Sequence, residues 1–182
     1  AINRSQLAGM NIHYLYYSLE YFLDAQAQAG FQTVELWGGM PHFWLDYASI
    51  GDCAAVKKAA QARGLHLAVF TPENCIYPYQ VAARGAAHIR KSRAYFVNGL
   101  RAAAELGCGL MEINSGWGNR DEERGEAWKR SAQMLRGLAE EAARLDVRIA
   151  FEALRPEESN LGTDIPSMQA MLAQVDHPRL TP

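Results

Sequence analysis

The chain has no Gly-x-Gly-x-x-Gly after its first strand-like segment and no P-loop anywhere. Two common sequence marks of dinucleotide and nucleoside-triphosphate binding are therefore missing, although other open α/β sheets stay admissible. No block of basic residues accompanies the formal charge of −2, so nucleic acid is not an expected partner. No apolar run approaches the roughly 20 residues of a bilayer-spanning helix. The amino end shows no signal-peptide pattern. A membrane partner is accordingly not expected. Cysteine is scarce: Cys53, Cys75 and Cys108 are odd in number and lack metal-type spacing. Reduced thiols and a cytoplasmic location follow as expectations. There are no low-complexity linkers and no internal repeats beyond an alternation of strand and helix.

What is present is a dense apolar pattern. Apolar residues make up 49% of 182 residues, enough for the core of one domain, or a large part of one. Gln6 to Tyr14 reads as a short first strand. Ser18 to Ala29 reads as a helix with Ser18 as N-cap, Leu19, Phe22, Leu23 and Ala27 at helical spacing, and Gly30 as its stop. Thr33 to Trp37 is a second strand, Asp52 to Arg63 a helix ending at Gly64, and Leu65 to Thr71 a third strand broken by Pro72. Gly85 to Leu106 is a long helix stopped by Gly107, and Leu110 to Asn114 is a fourth strand. The helix over Asp121 to Leu145 presents Ala127, Trp128, Met134, Leu135, Leu138 and Ala142. A fifth strand follows, then a helix over Asp164 to Val175 with an Asp N-cap and a stripe of Ile165, Met168, Met171, Leu172 and Val175. A further strand should begin near Arg179-Leu180-Thr181-Pro182. Strands alternating with helices are the grammar of a parallel α/β protein, either a doubly wound sheet or a (β/α)₈ barrel.

The stretch that carries most chemistry is Ile149 to Asn160. Val147, Ile149 and Phe151 alternate with Arg148, Ala150 and Glu152, the period of a strand with one face under a helix. Glu152 then points away from that helix at the strand's carboxyl end, and Glu158 follows on a Pro-containing loop. Parallel sheets build their sites at this end. The other carboxyl ends are similarly rich: His13 to Tyr17; Glu35, Trp37 and His42 to Trp44; Glu73 and Asn74 with Tyr77 and Tyr79; Asn114, Ser115 and Trp117. The amino-end loops are brief glycine turns. Flat aromatic faces with polar tips suit a sugar, and carboxylates suit proton transfer or a hard cation. Ordinary structural roles stay open for several of these: Glu35 as a hydrogen-bonded interior carboxylate, His42 packed on Trp44, Trp128 in the core. His66 and His88 read as structural or solvated residues, and His177 as a turn residue.

Three blocks make the pattern specific: Val34 to Gly39 with Pro41-His42; Thr71 to Asn74 with Tyr77-Pro78-Tyr79; and Glu152-Ala153-Leu154 with Pro156 and Glu158-Ser159-Asn160. With these, the chain resembles the sugar-phosphate isomerase/epimerase superfamily of xylose-isomerase-like TIM barrels, and within it the fructoselysine-type ketose 3-epimerases. The resemblance implies a (β/α)₈ barrel, represented here by about its first five β/α units in one partial domain, 1–182. It implies a small sugar, a ketose or fructosamine, as substrate, and one divalent metal ion (Mn²⁺, Co²⁺, Mg²⁺, Fe²⁺ or Ni²⁺) as cofactor. In such enzymes two glutamates alternate as base and acid at C3, and the metal stabilises the enediolate. Glu152 matches the first catalytic glutamate, which is also a metal ligand. Glu158 matches a substrate-contacting glutamate, and His42, Glu73, Tyr77, Trp117 and Trp37 are expected around the sugar.

The sequence departs from that family in two places. Ser115 stands where a fructoselysine-type enzyme carries histidine. Family members also continue for roughly three further β/α units, so the remaining metal ligands and the second catalytic glutamate are expected beyond Pro182. Glu152 alone cannot hold a catalytic metal. An inactive fragment, or another isomerase or dehydratase of the superfamily, remains as an alternative. Unpaired sheet edges would favour partners, with a homo-oligomer among them.

Overall fold

A computed structural model describes residues 3, 6–75 and 78–182 of the chain. Six parallel strands alternate with five α-helices: β1 Ala8–Met10, α1 Leu19–Gln28, β2 Thr33–Gly38, α2 Cys53–Gln61, β3 His66–Pro72, α3 Ala86–Leu106, β4 Leu110–Asn114, α4 Arg124–Arg144, β5 Arg148–Glu152, α5 Ile165–Val175 and β6 Leu180–Thr181. The strands lie in sequence order, each hydrogen-bonded to the next. That order decides between the two architectures the sequence left open. A doubly wound sheet reverses direction at a switch point, whereas a β/α barrel adds strands in order around its wall. The wall of a barrel is what forms here. Among the described residues, no helix is long and apolar enough to cross a membrane.

The two faces of the sheet divide by parity. Val34, Leu36, Phe70, Met111, Ile113, Ile149 and Phe151 are buried beneath the helices. They meet Phe22 and Leu23 of α1, Tyr95, Phe96 and Leu100 of α3, Leu135 and Leu138 of α4, and Met171 and Val175 of α5 in one core cluster. The alternate residues face the barrel interior. Strand register aligns Trp37 with Thr71, Glu112 with Ala150, and Asn114 with Glu152.

Local signals account for the boundaries. Ser18, Asp52 and Asp164 each accept a backbone N–H at the start of their helix. Gly30, Gly64 and Gly107 adopt positive φ just past helix ends, where a Cβ would be strained. The first strand is shorter than the sequence reading. It stops at Met10 because Asn11 leads into a 3-10 turn, Asn11–Tyr14. Buried Asn11 then holds the neighbouring strand, accepting from Trp37 N at 2.6 Å and donating to Trp37 O at 3.2 Å. Pro72 ends β3 rather than breaking it earlier, as a proline can at a strand terminus. One apolar expectation needs correction. Ile165 is 74% exposed because it opens α5 ahead of the packed stretch. Trp128 is partly buried and packs against the core, with its indole N–H donating to Gln174 Oε1 at 2.6 Å.

Candidate active site

Carboxylates gather on the interior face toward the carboxyl ends of β2 to β5. Glu152 ends β5 with its side chain out of the core and exposed, as strand parity required. Beside it, on β4, lies Glu112, which sequence reasoning passed over. Its parity (Leu110, Glu112 and Asn114 opposite buried Met111 and Ile113) was the signal available. One oxygen of Glu112, Oε1, is buried without a hydrogen-bond partner. Burial pushes the Glu112 carboxyl well above the ordinary range, helped by the charge of Glu152, a hydrogen bond with it, and the charges of Glu35 and Glu73. Burial and the neighbouring carboxylates both disfavour the charged form of Glu112. Glu35, lower on β2, accepts from Thr71 Oγ1 at 2.6 Å. It is therefore the hydrogen-bonded interior carboxylate that one reading of the sequence allowed.

Glu73 follows β3 and is tied at both oxygens. Trp37 Nε1 donates to Oε2 at 3.0 Å, and Cys75 N donates to Oε1 at 2.8 Å. Tyr95, from α3, donates its hydroxyl to Glu73 O at 2.8 Å. Glu73 sits on the seam between two clefts. The larger, about 670 Å³, is lined by Glu73, Cys75, Trp117, Arg120, Glu158 and Asn160 among others. The smaller, about 380 Å³, is lined by Trp37, Met40, Trp44, Glu73 and Tyr95 among others. The structure thus brings Glu73, Trp117 and Glu158 together and joins Trp37 to them through Glu73. Glu152 lines neither cleft; it lies near Cys75, a lining residue of the larger one.

The large cleft owes its shape to the loops after β4 and β5, which are laced together. Asn160 accepts from Gly118 N at 2.9 Å and donates to Gly118 O at 3.1 Å. Ser159 donates to Gly116 O at 2.6 Å. Gln80 accepts from Trp117 N at 3.2 Å. Gly116, at φ +63°, has Gln80 Oε1 only 2.5 Å from where a Cβ would stand. Ser115 is fully buried, and its hydroxyl accepts from Gly162 N at 3.0 Å. It is a tie between loops, not a group facing the cleft. Glu158 pairs in a fork with Arg155, at 3.0 Å (Nε–Oε2) and 2.8 Å (Nη2–Oε1), which holds its carboxyl below the ordinary range.

His42 is held by two hydrogen bonds to the segment after β1. Asn11 Nδ2 donates to its Nδ1 at 2.9 Å, and its Nε2 lies 2.8 Å from Tyr17 O. Since the Asn11 amide is oriented by Trp37, His42 Nδ1 accepts and Nε2–H donates. Both nitrogens are thereby occupied in binding the 3-10 turn to the β2 loop, and His42 lines neither cleft. Tyr77 lies outside the described residues.

A divalent ion beside Glu152 needs three or more protein ligands. Among the described residues no group of three His, Cys, Asp or Glu side chains is placed to hold one. The described residues therefore do not by themselves fit a metal centre.

A family model described as "Xylose isomerase-like TIM barrel" matches residues 23–182. Fructoselysine 3-epimerase of Escherichia coli O157:H7 is 29% identical over 160 residues, 87% of this chain and 58% of that protein. The Shigella flexneri fructoselysine 3-epimerase gives the same identity over 57% of its length. Among solved structures, 3-keto-D-glucoside 4-epimerase from E. coli superposes with a TM-score of 0.78 at 15% identity, covering 96% of this chain and 65% of that one. D-psicose 3-epimerase from Clostridium cellulolyticum H10, solved with D-tagatose, gives a TM-score of 0.72 at 17% identity over 89% and 56%. These structural likenesses speak to the fold. The chain spans 58% and 57% of the curated relatives it matches.

Proposed function

The chain belongs to the xylose isomerase-like TIM barrel family, and from that premise we propose that it carries part of the machinery of a ketose 3-epimerase. The observation that carries this reading is Glu152: an exposed carboxylate at the carboxyl end of a barrel strand, beside the buried Glu112, whose carboxyl is pushed above the ordinary range. A carboxylate so placed can serve as a proton-transfer base. Glu152 takes the proton from C3 of a ketose. The C–H electron pair becomes the C2–C3 double bond, and the carbonyl pair moves onto O2. Return of a proton to the opposite face of C3 inverts that carbon, which requires a second acid on the other side of the sugar. Trp117 offers an apolar face, and Asn160, Glu158 and Glu73 offer hydrogen-bonding groups for the hydroxyls. The 3-epimerase activity of the two curated relatives supports the reaction class.

The test is solvent exchange. With D-psicose, D-tagatose and fructoselysine in D₂O containing added divalent metal salts, the protein should place deuterium at C3 of at least one, read by NMR. Glu152→Gln should reduce that exchange by about a hundredfold or more, the scale of losing one acid–base group, with an unchanged circular dichroism spectrum. Glu158→Ala should weaken ketose binding. Exchange in none of the sugars, or near-normal exchange in Glu152→Gln, would refute the reading and leave a chain that lacks this turnover.

A further inference from the structure

Away from the two mouth clefts, the outer wall carries a slot of a different character between α3 and α4. It encloses about 150 Å³, less than the roughly 300–1,000 Å³ of a site for a whole metabolite. Its size suits one functional group with a short carbon stub. Val81, Ala83, Ile89 and Met134 supply an apolar floor, while Arg93, Arg130 and Gln133 supply a polar side. No acidic residue lines it. The sequence accounts for the sign: between Glu73 and Glu105 there is no Asp or Glu, but there are Arg84, Arg90, Lys91, Arg93 and Arg101. The two lining guanidiniums are held differently. Arg130 is fixed, with Nε donating to Ala82 O at 3.1 Å and Nη2 to Glu122 Oε1 at 2.7 Å. Further N–H groups of its fork stay unused. Glu122 does not cancel the local charge, because Arg84 acts on the same carboxylate. Arg93 is exposed and makes no hydrogen bond or ion pair among the described residues. Its Nε lies over Gly137, where a Cβ would stand 4.0 Å from it and meet nothing else.

We infer that this slot binds a small phosphate monoester, with the phosphoryl group between Arg93 and Arg130 and its first carbons on Ile89 and Met134. Guanidinium forks match phosphoryl oxygens in geometry as well as in charge. Two of them attract a dianion more strongly than a monoanion such as a carboxylate. Gln133 adds a neutral amide donor beside them. The apolar floor separates an ester from free phosphate, because only the ester has carbons to cover it. A cationic group meets repulsion from both arginines, and a neutral alcohol leaves their charge unanswered. The slot lies outside both mouth clefts, so its occupancy does not depend on the reading of those clefts as a ketose site.

The experiment titrates the purified protein with n-propyl phosphate, inorganic phosphate, butyrate and 1-propanol, read by amide shifts in ¹H–¹⁵N spectra. At pH 8 the ester is a dianion, its second pKa being about 6. n-Propyl phosphate should bind at least about tenfold more tightly than butyrate, the margin of one added charge-assisted contact. It should also bind more tightly than inorganic phosphate, with the largest shifts at the amides of Ala83, Ile89 and Gly137. Arg93→Ala removes a side chain without a partner and should weaken n-propyl phosphate by about tenfold or more. Gly137→Glu, which sets a carboxylate against Arg93, should weaken it as well. Butyrate or 1-propanol binding as tightly as n-propyl phosphate overturns the site, as do shifts centred elsewhere or unchanged affinity in Arg93→Ala. Inorganic phosphate binding as tightly as the ester overturns the ester and leaves free phosphate as the ligand.

Discussion

Glu112 shows how one interior side chain sets the character of its neighbours. Its folded carboxyl lies above the ordinary value of 4.5 because burial disfavours the charged form, and Glu152, Glu35 and Glu73 add repulsion. A carboxyl raised in the folded state contributes stability that is complete below the unfolded value. That contribution is lost as pH rises through the folded value. Glu112→Gln keeps the shape and cannot ionise. In chelator-treated buffer, the parent protein should therefore lose thermal stability relative to Glu112→Gln progressively above about pH 4.5, while the two converge in acid. Parallel Tm-against-pH curves would show that Glu112 does not titrate against the fold. Glu152 was legible in the sequence because a charge at a strand end breaks an apolar pattern visibly. Glu112 was not singled out, since within Leu110 to Asn114 one carboxylate reads as a polar residue on a half-buried strand. Only the neighbouring strands show what it faces. The hydrogen bonds of His42 were not legible for a related reason: its partners, Asn11 and Tyr17, are 31 and 25 residues away.

At the scale of elements, the ends of helices were the most legible features, because their chemistry is local. Asp164 and Ser167 form a full capping box at the start of α5, with Asp164 Oδ1 accepting from Ser167 N at 2.9 Å. The Asp164 carboxyl is held below its ordinary range, first by the Ser167 hydroxyl and then by its backbone N–H. Asp164→Ala should lower the midpoint of urea unfolding, as removal of a helix cap does elsewhere. No change in the midpoint would mean that α5 docks without needing its cap. The start of α4 was less legible. The helix begins at Arg124 rather than Asp121 because Glu122 is diverted. Its carboxylate accepts from Asn119 N at 2.9 Å and pairs with Arg130 at 2.7 Å. Such a tie from loop to helix leaves no mark on local periodicity.

At the scale of the molecule, the three thiols report on the integrity of the packed wall. Cys53, Cys75 and Cys108 lie on three different parts of the fold, yet burial pushes each from 9.0 up to about 12. A raised thiol pKa depletes the thiolate, which is the reactive form. At pH 8 the native protein should therefore alkylate with iodoacetamide at least about a hundredfold more slowly than the denatured chain, monitored by mass spectrometry. Fast labelling of all three would mean that the helices are not closed over the sheet. The β/α alternation was readable end to end, but the choice between a wound sheet and a barrel wall was not. Both use the same helices and strands and differ only in which strands become neighbours.

That order of neighbours bears on how the chain acquires its shape. Because β1 to β6 pair strictly in succession, each strand leaves the ribosome with its partner already made. The sheet can grow one unit at a time, without waiting for distant sequence. Loop closure between consecutive strands spans only the intervening helix, which keeps its entropic cost small. During synthesis, the unit exposed to misassociation is the newest strand, whose free edge is what the next unit covers.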